Sequence, residues 1–173
     1  MRYHLANTQR SGTNKQEAGV VFGGHSMITF DELNAQNHEL TELSNVLLYL
    51  FADRAMCDTK TACELFFQYF EKVGQHLEAV DHLYPALLRA PDQEINNVAK
   101  NFMSGEQEIK RILARYVKNW SDKKKHELVI KNYGEFLRDT GALFDMVLNR
   151  VQDETEHLYP LVRRIHTARR KVA

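Results

Sequence analysis

Three prolines and eight glycines are few for 173 residues, and four of the glycines, Gly12, Gly19, Gly23 and Gly24, fall before residue 25. The rest of the chain therefore has little of the turn chemistry that sheets and long loops demand, and long helices are the default. Cysteine is scarce as well. Cys57 and Cys63 are too few for a disulfide framework and lack the second pair a zinc site would need, so they read as reduced thiols. The longest apolar run, Val46 to Ala52, falls far short of the roughly 18 residues of a membrane span. With no apolar leader after Met1, a cytoplasmic protein is expected. Neither sign of charge is in excess: 23 basic and 23 acidic residues produce no global field to draw nucleic acid or an anionic membrane. A phosphate-binding glycine loop, a nucleophile elbow and a helical His-Glu-x-x-His are all missing, which removes the common nucleotide and hydrolase readings and leaves no enzymatic activity indicated.

What is present is helical periodicity. Residues 1–28 are polar, Gly-rich and without an apolar period, and are expected to be disordered because they bury too little to offset the entropy of ordering. Residues 29–173 form the expected helical domain. Thr29 and Glu32 have capping-box spacing ahead of a stripe formed by Leu33, Leu40, Leu43, Leu47, Leu50 and Phe51, a first helix ending near Arg54. Asp58 and Thr59 cap a second helix carrying Leu65, Phe66, Tyr69, Val73, Leu77, Val80, Leu83, Tyr84 and Leu87 as far as about Arg89. Pro91 suits the first turn of a third, with Ile95, Val98, Phe102, Ile109, Leu113 and Trp120 on one face. Ser121 and Asp122 are placed to cap a fourth, which runs from Leu128 through Phe136, Phe144 and Val151 and continues past a bend at Pro160. Four such helices on short connections predict an all-α, antiparallel up-down-up-down four-helix bundle. Asp81-His82-Leu83-Tyr84-Pro85 is echoed by Glu156-His157-Leu158-Tyr159-Pro160, which reads as two helix ends stopped alike by proline.

The informative residues are the ionisable ones that interrupt these stripes, because a buried charge needs a partner or a metal. At about 100° of rotation per residue, Glu106 points to the centre of the third stripe and Glu154 to that of the fourth. His76 lies inward on the second helix, with Asp81 at the stripe's edge, and Asn37, Ser44 and Thr140 also face in, as does His126 at the opposite end; His38 faces solvent. Carboxylates and an imidazole meeting in one bundle suit iron or manganese. The metal-free alternative is a polar network in which Glu106 pairs with Arg150 across helices. Glu154 and His157 have Glu-x-x-His spacing, although a di-iron bundle needs two such motifs and this chain has one. The basic clusters Lys123 to Lys125 and Arg163 to Lys171 read as solvated surface, so no nucleic acid or membrane partner is assigned.

Over about residues 30–165 the chain resembles the hemerythrin-like (HHE cation-binding) domains. The resemblance rests on Asn37-x-x-Leu40-x-x-Leu43, on Phe70 through His76-Leu77 to Asp81 and Leu83-Tyr84-Pro85, on Phe102 with Glu106, and on Phe136 through Arg150-Val151 and Glu154 to Leu158-Tyr159-Pro160. It implies a four-helix bundle holding non-haem iron, possible as a di-iron centre and with manganese as an alternative, that senses or handles oxygen, nitric oxide or iron. His76, Asp81, Glu106 and Glu154 would be the ligands. The departures are substantial: the family has histidine where Asn37 and, in many members, Arg150 stand, and its His-x-x-x-Glu pair becomes His76 to Val80 with the acid displaced to Asp81. A five-histidine oxygen carrier is thereby excluded. The rival reading is a metal-free regulatory bundle that binds a protein partner, as anti-sigma bundles do.

Overall fold

The computed structural model describes residues 28–172, so the disorder expected over 1–28 lies outside the described residues but for Ile28. Among the described residues the chain is all-α apart from one short hairpin. Four long helices, α1 (Phe30–Phe51), α3 (Lys60–Asp81), α5 (Gln93–Trp120) and α6 (Tyr133–Asp153), are joined by short helices α2 (Arg54–Cys57) and α4 (Tyr84–Leu88) and continued by α7 (Tyr159–Val172). No helix among the described residues is long and apolar enough to cross a membrane.

Most helix starts follow the side-chain chemistry read from the sequence. The Thr29 hydroxyl accepts from the Glu32 backbone N–H while the Glu32 carboxylate accepts from that of Thr29, a complete capping box for α1. Thr59 caps α3 through the Ala62 N–H. Asp92, rather than Pro91, marks the start of α5, its carboxylate accepting from the Glu94 N–H.

The expected fourth helix begins ten or eleven residues later than its Ser121-Asp122 cap suggests, at Tyr133. Ser121 and Asp122 instead pair with Leu128 and Glu127 in an antiparallel hairpin. Asp122 does cap, but it caps a turn: its Oδ1 accepts from the N–H groups of Lys124 and Lys125 at 2.9 and 3.2 Å. His126 then takes the left-handed conformation, with φ 57°, which closes the turn and ends any helical run. It is exposed there rather than inward, and stacks on Phe67 with ring centroids 3.9 Å apart. Asn132 supplies the true cap of α6.

The bend expected at Pro160 is a π turn, Glu154–Leu158, between α6 and α7. The Tyr159 N–H reaches back to the Glu154 carbonyl, five residues away. Pro160 has no N–H to give to residue 156 and its ring would press on that carbonyl, so the wider turn relieves both problems. The Leu-Tyr-Pro echo thus opens helices rather than closing them: Tyr84-Pro85 starts α4 and Tyr159-Pro160 starts α7.

Two apolar cores are stacked along the molecule. One joins Phe51, Phe66, Tyr69, Tyr116, Trp120, Phe136 and Phe144; the other joins Leu33, Val80, Leu83, Leu87, Ile95, Leu158 and Val162. Each long element crosses from one to the other at a polar residue. On α3 His76 stands between Val73 and Val80, on α5 Glu106 between Phe102 and Ile109, and after α6 Glu154 between Val151 and Leu158. The three sit in one polar layer, and all are 1 % exposed or less. Burying them unpartnered would cost several kcal/mol each, so the layer is where the fold's charge balance is decided.

Candidate functional site

The polar layer is a chain of contacts that runs from α1 to α5. Gln36 Oε1 lies 3.1 Å from His76 Nδ1, and Glu154 Oε2 lies 2.8 Å from His76 Nε2. His76 thus bridges α1 and the segment after α6, with a polar partner on each ring nitrogen. The other oxygen of Glu154 accepts from Arg150 Nε, one helical turn earlier and on the same face. From Arg150 the guanidinium reaches outward: Nη1 donates to the Phe102 carbonyl at 3.1 Å and Nη2 to the Tyr84 hydroxyl at 2.9 Å. Tyr84 passes the chain on, donating to Glu106 Oε2 at 2.9 Å. Lys110 Nζ closes it at the surface, 2.5 Å from Glu106 Oε1 and 2.9 Å from Asp81 Oδ2. Two cationic side chains, Arg150 and Lys110, and the His76 ring therefore face three carboxylates.

Burial weakens the hold of Arg150 on its proton, but the Glu154 carboxylate and then the Tyr84 oxygen more than offset it, and its pKa stands above the ordinary arginine value. Burial pushes the Glu106 carboxyl up, against the hydrogen bonds from Lys110 and Tyr84 that pull it down. The Tyr84 hydroxyl is raised far above the tyrosine range, first by burial, while Arg150 opposes the shift and Glu106 adds to it. Lys110 is raised by its bond to Glu106 and then by Asp81. Tyr84 thus stays a neutral donor between a cation and a carboxylate.

Of the four expected ligands, His76 and Glu154 touch. Glu106 is buried in the same layer but separated from them by Tyr84 and Arg150. Asp81 is half-exposed and engaged with Lys110. Among the described residues no three His, Cys, Asp or Glu side chains gather as a metal ion would require, and the free faces of both buried carboxylates are taken by cations of the chain itself. The donor set in this arrangement does not fit a di-metal centre. His157 of the Glu-x-x-His spacing points away, exposed beside Asp153. Arg150 does join the network, as the metal-free alternative requires, but its ion pair is with Glu154; it meets Glu106 only through Tyr84.

Asn37 and Ser44 are buried as expected. Asn37 Nδ2 donates to Thr155 Oγ1 at 3.2 Å across to the π turn, and Ser44 bonds back to the Leu40 carbonyl. Thr140 pairs with the Tyr116 hydroxyl at 2.5 Å. Cys57 and Cys63 are both free thiols and buried.

The sequence reading missed Tyr84, Gln36, Lys110 and the Phe102 carbonyl. Counted as an apolar stripe member, Tyr84 concealed its hydroxyl; its place in the Leu-Tyr-Pro echo was the only signal. Lys110 was legible as an i,i+4 partner of Glu106, with the acidic residue on the favoured N-terminal side. Comparison with protein-family models, curated proteins and solved structures finds no match for this chain.

Proposed function

We propose that the chain is a hemerythrin-like, up-down-up-down four-helix bundle in which an arginine has taken over the charge-balancing task of a metal, and that it acts as a metal-free regulatory module that binds a protein partner. The observation that carries this reading is the guanidinium of Arg150, which lies against Glu154 with a further bond to Tyr84. Two buried carboxylates demand positive charge, and Arg150 and Lys110 supply it from within the chain, with the His76 ring also against Glu154. On the outer side of α1, Val46 and Tyr49 are 42 % and 82 % exposed, an apolar surface that suits a partner.

A second reading, an iron or manganese site handling oxygen or nitric oxide, is favoured by one observation: the His76 Nε2 atom and a Glu154 carboxylate oxygen meet 2.8 Å apart in the buried layer. That reading requires Arg150 to leave Glu154. The two are separated by expressing the full chain with added iron and measuring metal per chain and the melting temperature with iron, manganese or chelator. The metal-free reading expects less than a tenth of an equivalent and an unmoved melting temperature. One or two equivalents, with a melting temperature that falls in chelator, would overturn it.

A further inference from the structure

The surroundings of Arg150 have the composition of a receptor for a planar cation. A carboxylate (Glu154) meets Nε, a backbone carbonyl (Phe102) meets Nη1 at 3.1 Å and a phenol (Tyr84) meets Nη2 at 2.9 Å, so all three nitrogens have an acceptor. The Phe102 ring lies under the group, its centroid 4.6 Å from Cζ, in the range of a cation–π contact. The fifth wall is an absence. At Gly105 a Cβ would come within 3.3 Å of Nη1, so a helical position that would otherwise gain from alanine is held at glycine size where the guanidinium passes. The acceptors come from three elements, α4, α5 and the π turn, whereas Arg150 itself comes from α6. Glu154 is fully buried, and the Arg150 side chain is only 9 % exposed.

We infer that the polar layer contains a guanidinium-binding cage whose ligand is the chain's own Arg150, and that the cage binds a free guanidinium-type cation when that side chain is cut back. The inference rests on the metal-free reading, since it takes the planar cation as the resident of this site. Three of its features select the ligand. The Glu154 charge demands a cation, the three separate acceptors demand N–H groups spread as a fork, and the aromatic face demands a flat group. A spherical ion satisfies only the first, and a neutral planar amide only the other two.

The test is Arg150→Ala in the full chain, melted with and without low-millimolar methylguanidinium, which reproduces the end of the arginine side chain well below denaturing concentration. The expected result is a melting temperature several degrees below wild type that methylguanidinium raises in a saturable manner, while urea, sodium and tetramethylammonium at equal concentration do not. Wild type shows no rise, because its cage is filled. The rise disappears in Arg150→Ala with Glu154→Gln. If Arg150→Ala does not fold alone, recovery of helical circular dichroism on adding methylguanidinium is the same readout.

Gly105→Ala supplies a second measurement that needs no unfilled cage. It should lower the melting temperature in the Arg150 chain and raise it, or leave it unchanged, in the Arg150→Ala chain. No methylguanidinium effect on Arg150→Ala, an equal effect of urea, or a Gly105→Ala change that is the same in both backgrounds overturns the inference. Uptake of manganese or iron by Arg150→Ala in preference to methylguanidinium also overturns it, while a metal-free wild type leaves the proposed function standing.

Discussion

Removing the guanidinium while keeping most of its volume, as in Arg150→Met, isolates the charge balance of the layer. Glu154 is fully buried, and the substitution takes away its arginine partner, leaving His76 at 2.8 Å. Breaking a buried pair by deleting one member costs about 3–5 kcal/mol. Because the His76 contact to Glu154 remains, the lower end applies, about 3 kcal/mol, and at 2–4 °C per kcal/mol the melting temperature falls by about 6–12 °C. Glu154→Gln is expected to cost as much or more, since it leaves the largely buried Arg150 cation facing a neutral amide. Combining the two removes both ends of one interaction, so the double variant should be more stable than the sum of the singles by about 2 kcal/mol. The assay is urea denaturation followed by far-ultraviolet circular dichroism on wild type, both singles and the double. Single costs below about 0.5 kcal/mol, or strict additivity, would refute the argument that this pair balances the interior.

The remaining predictions concern the buried tyrosines and the first cap. Burial raises Tyr69, Tyr84, Tyr116 and Tyr159 far above the ordinary tyrosine range. Unfolded, each releases its proton near pH 10, so the native state binds more protons in alkali and stability falls as pH rises through that value, by about 1.4 kcal/mol per pH unit for each tyrosine fully released. Phenolate absorbance at 295 nm from these four should therefore appear together with the loss of helix; its full appearance while the helical signal persists would contradict their burial. Lys110 acts in the same direction. Its pKa is raised by Glu106, so its stabilisation is whole below about pH 10.4 and is lost above it; Lys110→Met should remove that component and make the alkaline limb shallower, whereas replacing an uninvolved surface lysine would leave the limb unchanged. Thr29→Ala deletes one half of the α1 capping box and should cost about 1 kcal/mol in chemical denaturation, whereas an unchanged midpoint would show that the end of α1 is frayed.

The helices and the inward direction of His76, Glu106 and Glu154 were legible because a 3.6-residue period fixes which residues share a face, whatever they pack against. Partner choice was not legible. Rotation about a helix places Glu106 and Arg150 toward the same interior, yet it says nothing of height along the axis, and the structure puts Tyr84 between them. Tyrosine is the residue most easily misread in such a scheme, since its ring satisfies the apolar stripe and its hydroxyl enters the polar layer. The hairpin after α5 was hidden for a different reason. An aspartate that caps a helix and one that closes an Asx turn accept from the same backbone groups, so Asp122 fits both patterns, and only the left-handed His126 and the Val129 N–H bonded to the Trp120 carbonyl decide for the hairpin. Asp81 shows the limit of face assignment near a helix end: it is the last residue of α3, and its side chain reaches the surface lysine rather than the interior.

Nitrogen-15 NMR of the full chain reads the Arg150 Nε–H group directly. Held against a buried carboxylate, this proton should give a resolved resonance shifted downfield from the other arginines, exchange slowly with water, lose its shift in Glu154→Gln, and stay unchanged when chelator or manganese is added. An Nε–H indistinguishable from the solvated arginines, or one that shifts or broadens stoichiometrically with manganese, would contradict the account of an interior neutralised by its own arginine.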